Sequence, residues 1–312
     1  MAANGSITVS PTETTTYTIT VTGSGGTATA SVTVSISPIS ISITSPNDGE
    51  TIYRPDAMVQ GTIINPFGNE TGVVVNGILA IVHGDQFVAN HVPLQEGENT
   101  ITATATDTAG YTATASITIN AVTTGDYIRL TAEDESGVSP LETTLRIDGS
   151  FSFTESSITD SGPGVVEFLS SSAEEYNIRT TTPGIYYFTA DVTDDQSNTY
   201  TDTVAVLVLD QAVMDALLRG KWEGMRSALT QNDVDSAVSY FDSSTKDAYQ
   251  TFFTGNPQLL AQMAQVLDDI QFVRTDDNMA EYDIRATKDG TEYSFYLLFI
   301  KDDKGLWKIK SF

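Results

Sequence analysis

Between residues 7 and 36 apolar side chains fall on alternate positions: Ile7 and Val9, then Tyr17, Ile19 and Val21, then Ala28, Ala30, Val32 and Val34. Thr fills most of the places between. Period 2 predicts strands with one buried face. The pattern then returns. The octet at 27–34 (TATASVTV) reappears 85 residues later at 112–119 (TATASITI), and more loosely, a further 87 residues on, at 199–206 (TYTDTVAV). Each copy follows a second alternating strand and a turn: Gly23-Ser24-Gly25-Gly26, Asp107-Thr108-Ala109-Gly110, and residues 194–198. A repeat this long is a small domain, not a solenoid rung.

At Asp210 the period changes to 3.6. Met214, Leu218, Trp222, Met225 and Leu229 share one helical stripe. Val234, Val238 and Phe241 predict a second, shorter helix with Asn232 as its N-cap. Asn256-Pro257 predicts the start of a third, carrying Leu259, Met263, Val266 and Ile270. Strands follow at about 270–275, 279–287, 291–301 and 306–311, with turns at Asp289-Gly290 and Asp303-Lys304-Gly305. Helices followed by a meander predict an α+β unit with its helices on one face of the sheet. The expected fold class is mostly β: tandem sandwiches, then an α+β domain. Boundaries are expected near 38, 123 and 210, with linkers at Ser37-Pro38-Ile39 and Thr123-Thr124-Gly125 that permit partly independent motion.

Charge divides the chain the same way. Residues 1–210 hold four basic residues, Arg54, Arg129, Arg146 and Arg179, and no lysine. The other eleven of fifteen lie in 211–312, and the whole chain carries −26. An acidic stalk of this kind repels nucleic acid and anionic lipid. No apolar run is long enough for a membrane-spanning helix. Without cysteine there are no disulfides, thiolate chemistry or Cys-based zinc and iron–sulfur sites. No transition metal, haem or flavin is expected.

Residues 39–122 resemble the bacterial Ig-like modules of large secreted proteins and glycoside hydrolases. The stretches that carry the resemblance are 45–52 (SPNDGETI), 59–62 (VQGT), 73–77 (VVVNG) and 92–101 (VPLQEGENTI). Asn76-Gly77 also fits a type I′ hairpin. Residues 1–38 then read as the C-terminal half of a truncated module of that kind, because three strands fall short of the roughly seven a sandwich uses. Residues 123–209 are similar to PKD-type sandwiches through 137–141 (GVSPL) and 183–195 (PGIYYFTADVTDD). Asp148-Gly149-Ser150-Phe151-Ser152-Phe153 stands where that family carries a Trp-x-Phe-Gly-Asp-Gly stretch. Residues 210–312 resemble the NTF2-like cone fold through Lys221-Trp222-Glu223-Gly224-Met225, the Asp235, Val238 and Phe241 spacing, and Gly305-Leu306-Trp307-Lys308-Ile309. Such module types imply an extracellular or cell-surface setting and other proteins or glycans as partners, with a homodimer through the C-terminal domain as a further candidate.

Candidate chemistry is sparse. His83 and His91, with Asp85, are two imidazoles and one carboxylate, and solvated turn residues are the expected reading. The tail contains no histidine, which excludes Ser–His and His-based acid–base sites there. The adjacent acids Asp194/Asp195, Asp268/Asp269, Asp276/Asp277 and Asp302/Asp303 do not converge as dyads, because neighbouring residues point apart. Asp194, Asp195 and Asp202 form the weak calcium candidate. A pocket lined by Trp222, Tyr282, Phe295 and Trp307, between the first helix and the sheet, would suit an apolar or aromatic ligand. The expectation is that this space is filled. The functional expectation is a non-catalytic stalk without cofactor. Its rivals are accessory modules of a polysaccharide-active enzyme, and an NTF2-like binder or enzyme.

Overall fold

In the computed structural model, residues 7–9, 11, 14–34, 39–267, 269–288 and 291–312 are described. Ser37, Pro38, Asp268, Asp289 and Gly290 lie outside these. The chain opens with a two-stranded hairpin, β1 (Thr15–Gly23) and β2 (Gly26–Val34), closed at Gly23↔Gly26.

Nine strands follow: β3 (Ser40–Ser45), β4 (Thr51–Ile52), β5 (Asp56–Ile64), β6 (Thr71–Val75), β7 (Ile78–Leu79), β8 (Ile81–His83), β9 (Gln86–Pro93), β10 (Gly97–Asp107) and β11 (Thr112–Ala121). They make two sheets, β4-β11-β10-β6-β7 and β3-β5-β9-β8. Alternate residues such as Val59, Val73, Phe87, Ile101 and Ile119 close one core between them. This is an Ig-like β-sandwich. Asn76 and Gly77 both have positive φ, as the I′ turn between β6 and β7 requires.

The next eight strands are β12 (Ile128–Ala132), β13 (Ser136–Val138), β14 (Leu141–Gly149), β15 (Ser156–Ser161), β16 (Val166–Ser171), β17 (Glu175–Thr180), β18 (Gly184–Thr193) and β19 (Thr199–Leu209). Sheets β12-β14-β17-β16 and β13-β19-β18-β15 enclose a second core around Leu130, Leu145, Tyr186 and Phe188. Together the paired sheets make the chain mostly β.

The three sequence copies are the second strands of three hairpins, β2, β11 and β19. Their registers explain the Thr content. Thr18–Ser31 (2.8 Å), Thr102–Ser116 (3.0 Å) and Thr189–Thr203 (2.9 Å) are the same cross-strand hydroxyl pair in each copy. The opposite face differs. Ala103, Ala105 and Ile101 are fully buried, whereas Ile19 and Val21, which hold the places of Ala103 and Ala105 in β1, are about 60% exposed.

The tail comprises α1 (Gln211–Thr230), α2 (Val234–Val238), α3 (Ser243–Gly255), α4 (Leu260–Val266) and the antiparallel meander β20 (Asp269–Asp276), β21 (Met279–Lys288), β22 (Thr291–Lys301), β23 (Trp307–Ser311). Asp210 caps α1, its carboxylate accepting from the Ala212 and Val213 amides. Two cap expectations are corrected. Asp233, not Asn232, caps α2, because Asn232 takes a positive φ. Asn256 makes no N-cap bond; its amide donates back to Phe252 O (2.8 Å) and closes α3. The sequence reading missed α3 altogether. Its apolar residues are sparse, and its start depends on the Asp242 cap, which accepts from Ser244 N (3.2 Å).

The joints between units are packed rather than loose. Ile81 and Val88 of the first sandwich cluster with Ile185, Ala205 and Leu207 of the second. Gly72 lies so close to the tail that a Cβ there would fall 2.0 Å from Lys304 O. A joint of this kind restrains the motion that the linkers alone suggest.

Candidate functional site

The four residues expected to line a pocket separate. Trp222 and Tyr282 are fully buried and Trp307 nearly so, whereas Phe295 is 48% exposed. Trp222 meets Phe312 edge-on at 5.1 Å, and Tyr282 lies between Phe272 and Phe299 at 5.6 and 5.5 Å. Leu218, Met225, Leu297 and Phe299 occupy the space between helix and sheet. Burial, together with the neighbouring Asp215, pushes the Tyr282 phenol well above its ordinary range. The parity that places Leu297 and Phe299 inward also holds for Phe295, yet Phe295 stays exposed although its cross-strand partner Ile284 is fully buried. Phe295 stacks on Tyr293, ring centroids 6.5 Å apart and 16° from parallel. The result is an open aromatic step on the sheet, not an enclosed pocket.

The calcium candidate also comes apart. Asp194 is engaged within its own turn, accepting from the Gln196 and Asn198 amides and from Tyr200 Oη. Asp202 points into the joint between the sandwiches. Among the described residues, the carboxylates that do converge are Asp134, Asp276 and Asp277, whose oxygens lie within 4.8 Å of one another. Two of these, Asp276 and Asp277, form an adjacent pair that the sequence does not mark as convergent. Nothing in the sequence predicts that the β20–β21 turn meets the loop after β12. Burial, then the charges of Asp276 and Asp277, raises Asp134; burial also raises Asp277. Three oxygens of this type suit a hard cation such as Ca²⁺.

The joint between the sandwiches contains a charge network whose carboxylates, Asp56 and Asp202, are buried, with Arg54 half-buried and Arg129 at its exposed edge. Asp56 of β5 accepts from Arg54 Nε (2.7 Å) and from Arg129 Nε of β12 (2.8 Å). Asp202 of β19 accepts from Leu130 N (2.7 Å), pairs with Arg54, and has His91 Nε2 at 3.3 Å. Burial works to raise Asp202, but the bonds from His91, Arg54 and Leu130 outweigh it and hold the carboxyl below the usual range. Beside them, Asn90 spans the joint with two bonds, to Ala205 O (2.9 Å) and from Ala205 N (3.0 Å). His91, read as a solvated turn residue, is therefore part of the joint.

The tail docks through Glu70 and Asp277. Glu70 accepts from Trp307 N (2.8 Å) and pairs with Lys221. Asp277 accepts from Ser136 N (2.8 Å). Where the three units meet there is a cleft of about 230 Å³, walled by Val82, Leu207, Leu209, Met214 and Trp307 and reached by Lys301 and His83.

Residues 39–123 match the model of the family described as glucodextranase, domain B. Among curated proteins, none matches the chain. Among solved structures, the fibronectin(III)-like modules of Clostridium thermocellum CbhA are 15% identical; the match covers 55% of this chain and 94% of that one, with a TM-score of 0.21. SGBP-B from the mixed-linkage glucan utilization locus of Bacteroides ovatus, solved with a mixed-linkage heptasaccharide, is 15% identical; the match covers 53% of this chain and 47% of that one, with a TM-score of 0.20.

Proposed function

We propose that the chain is a non-catalytic modular stalk of a bacterial exported or cell-surface protein. In this reading Ig-like and PKD-like sandwiches space and display a C-terminal NTF2-like domain for protein or glycan contact, without a cofactor. The observation that supports it best is the joint in which buried Asp56 and Asp202 pair with Arg54 and Arg129. Ordinary inter-domain contacts are more polar and looser than obligate ones, and so permit motion. Buried carboxylates paired across two β-sandwiches instead hold their angle, which is what a spacer needs. The contact surface in this reading is the Tyr293–Phe295 step. Flat exposed rings suit the C–H faces of sugars and the apolar residues of a protein partner alike.

The match of residues 39–123 to a glucodextranase domain favours a second reading, accessory modules of a polysaccharide-active enzyme. Affinity electrophoresis of the full chain in gels containing dextran tests the glycan contact that both readings allow. Retardation that Phe295→Ser abolishes supports the glycan-bound form of the proposal. Unretarded migration leaves contact with protein as its content. Release of reducing sugar from dextran by the purified chain would overturn the non-catalytic reading.

A further inference from the structure

The cleft where the two sandwiches meet the tail contains polar groups of two kinds. Its carboxylates are already committed. Glu70 holds Trp307 N and Lys221, and Asp210 caps α1. Thr71 is committed too, accepting from Asn65 Nδ2 (3.0 Å) and donating to Asn69 O (3.1 Å). Two nitrogen-bearing side chains are not. Among the described residues, neither Lys301 Nζ nor the His83 ring has a hydrogen-bond or ion-pair partner; Lys301 Nζ lies only over the Trp307 ring, 5.5 Å from its centroid. The nearest carboxylate fields on Lys301 are those of Asp277 and Glu70. Both of those acids are bonded to backbone amides elsewhere in the interface. The rest of the wall is aliphatic: Val82, Leu207, Leu209, Val213, Met214 and Leu217.

A buried ammonium without a carboxylate is expensive to keep, and burial accordingly holds Lys301 below the ordinary lysine range. An apolar cleft with one or two convergent uncommitted donors is the usual form of a small-molecule site. We propose that this three-way cleft binds a small aliphatic carboxylate, its chain along the Leu207–Leu209–Met214 wall and its carboxylate accepting from Lys301 Nζ and the His83 ring. Because residues from all three units line it, such a ligand would also tie the tail to the sandwiches.

The test is calorimetric titration of the full chain with octanoate, octylamine and octanol, with tryptophan emission followed in parallel, since Trp307 is one of the two tryptophans. Octanoate should bind saturably with Kd at or below about 1 mM. Octanol should bind more weakly and octylamine not at all. Lys301→Met should weaken octanoate by about tenfold or more, the worth of a charge-assisted bond, and leave octanol unchanged. Val213→Asp provides a control on folding. That residue is 70% exposed in the first turn of α1, where an acid is tolerated, and its charge at the cleft should repel octanoate while sparing octanol. Absence of octanoate binding, equal binding of octanoate and octylamine, or unchanged octanoate affinity in either folded variant would overturn the proposal. None of these outcomes bears on the stalk reading, which concerns the Tyr293–Phe295 step and the joint between the sandwiches.

Discussion

Asp202→Asn removes one charge from the joint while keeping the side chain's shape. The substituted amide oxygen can still accept from Leu130 N, so that bond survives. The pairing with Arg54 and the contact with His91 lose their charge. Arg54 keeps Asp56, so it is not left wholly uncompensated. Breaking a buried pair outright costs about 3–5 kcal/mol, and a charged hydrogen bond about 1.5–3. With one partner retained, the loss should be about 2–4 kcal/mol. For a cooperative unit of about 150–250 residues a 3 kcal/mol loss corresponds to a Tm roughly 6–12 °C lower. The sign with pH follows from the depressed carboxyl. Asp202 titrates lower in the folded protein than its ordinary value of 3.8, so its stabilisation is complete above that value. It is lost as pH falls through the lower, folded value. Glu135, raised by burial, acts with the opposite sign but is present in both proteins, so it cancels in their difference. Calorimetric melts at pH 7 and at successively lower pH should show a gap that closes in acid. A variant melting within about 1 °C of the parent at pH 7, or a gap undiminished well below pH 3.8, would refute this account of the joint.

Trp222→Ala empties the centre of the tail and should cost about 3–5 kcal/mol by urea denaturation; a near-neutral result would mean the core is less filled than it looks. Gly72→Ala has no room for its methyl against Lys304 O, so the tail should undock or the joint should shift. Overpacking of this kind costs about 1–3 kcal/mol, and small-angle scattering should show a larger radius of gyration. Tyr293→Ser with Phe295→Ser should leave the Tm within about 1 °C, since both rings are exposed, while any dextran retardation disappears. Any calcium-induced rise in Tm should vanish in Asp276→Asn and persist in Asp194→Asn, since the converging carboxylates are those of the Asp134, Asp276 and Asp277 cluster and Asp194 is engaged within its own turn.

The β units were legible because their chemistry is local and periodic. Alternation marks which side of each strand faces a core, and Asn76-Gly77 or Asp303-Lys304-Gly305 fixes where a hairpin closes. The octet repeat even carries over as geometry, since the Thr18–Ser31 hydroxyl pair recurs at the same register twice more. Local signals failed where two of them overlapped. Asn256-Pro257 looks like a helix start, but the Asn side chain serves the end of the helix before it. Phe295 has the right parity for the inner face, and parity alone does not separate it from its buried cross-strand partner Ile284.

What the sequence could not show is every contact between units. Asp202 lies close to Asp194 in sequence and looks like part of the same acidic loop, yet the strand carries it away to face Arg54, 148 positions earlier. Asp276 and Asp277 look like solvated turn acids until the β20–β21 turn meets Asp134. Lys301 looks like an ordinary strand-end lysine until the fold places it in a cleft with Leu207, Met214 and Trp307. In each case the residue type is unremarkable and the partner is remote, so no spacing within one segment marks it. A single trace does exist, in charge. Arg54 and Arg129 are two of only four basic residues in the first 210, and both bind Asp56. In a stretch so depleted of cations, a cation is worth asking about, because the general surface evidently does without them.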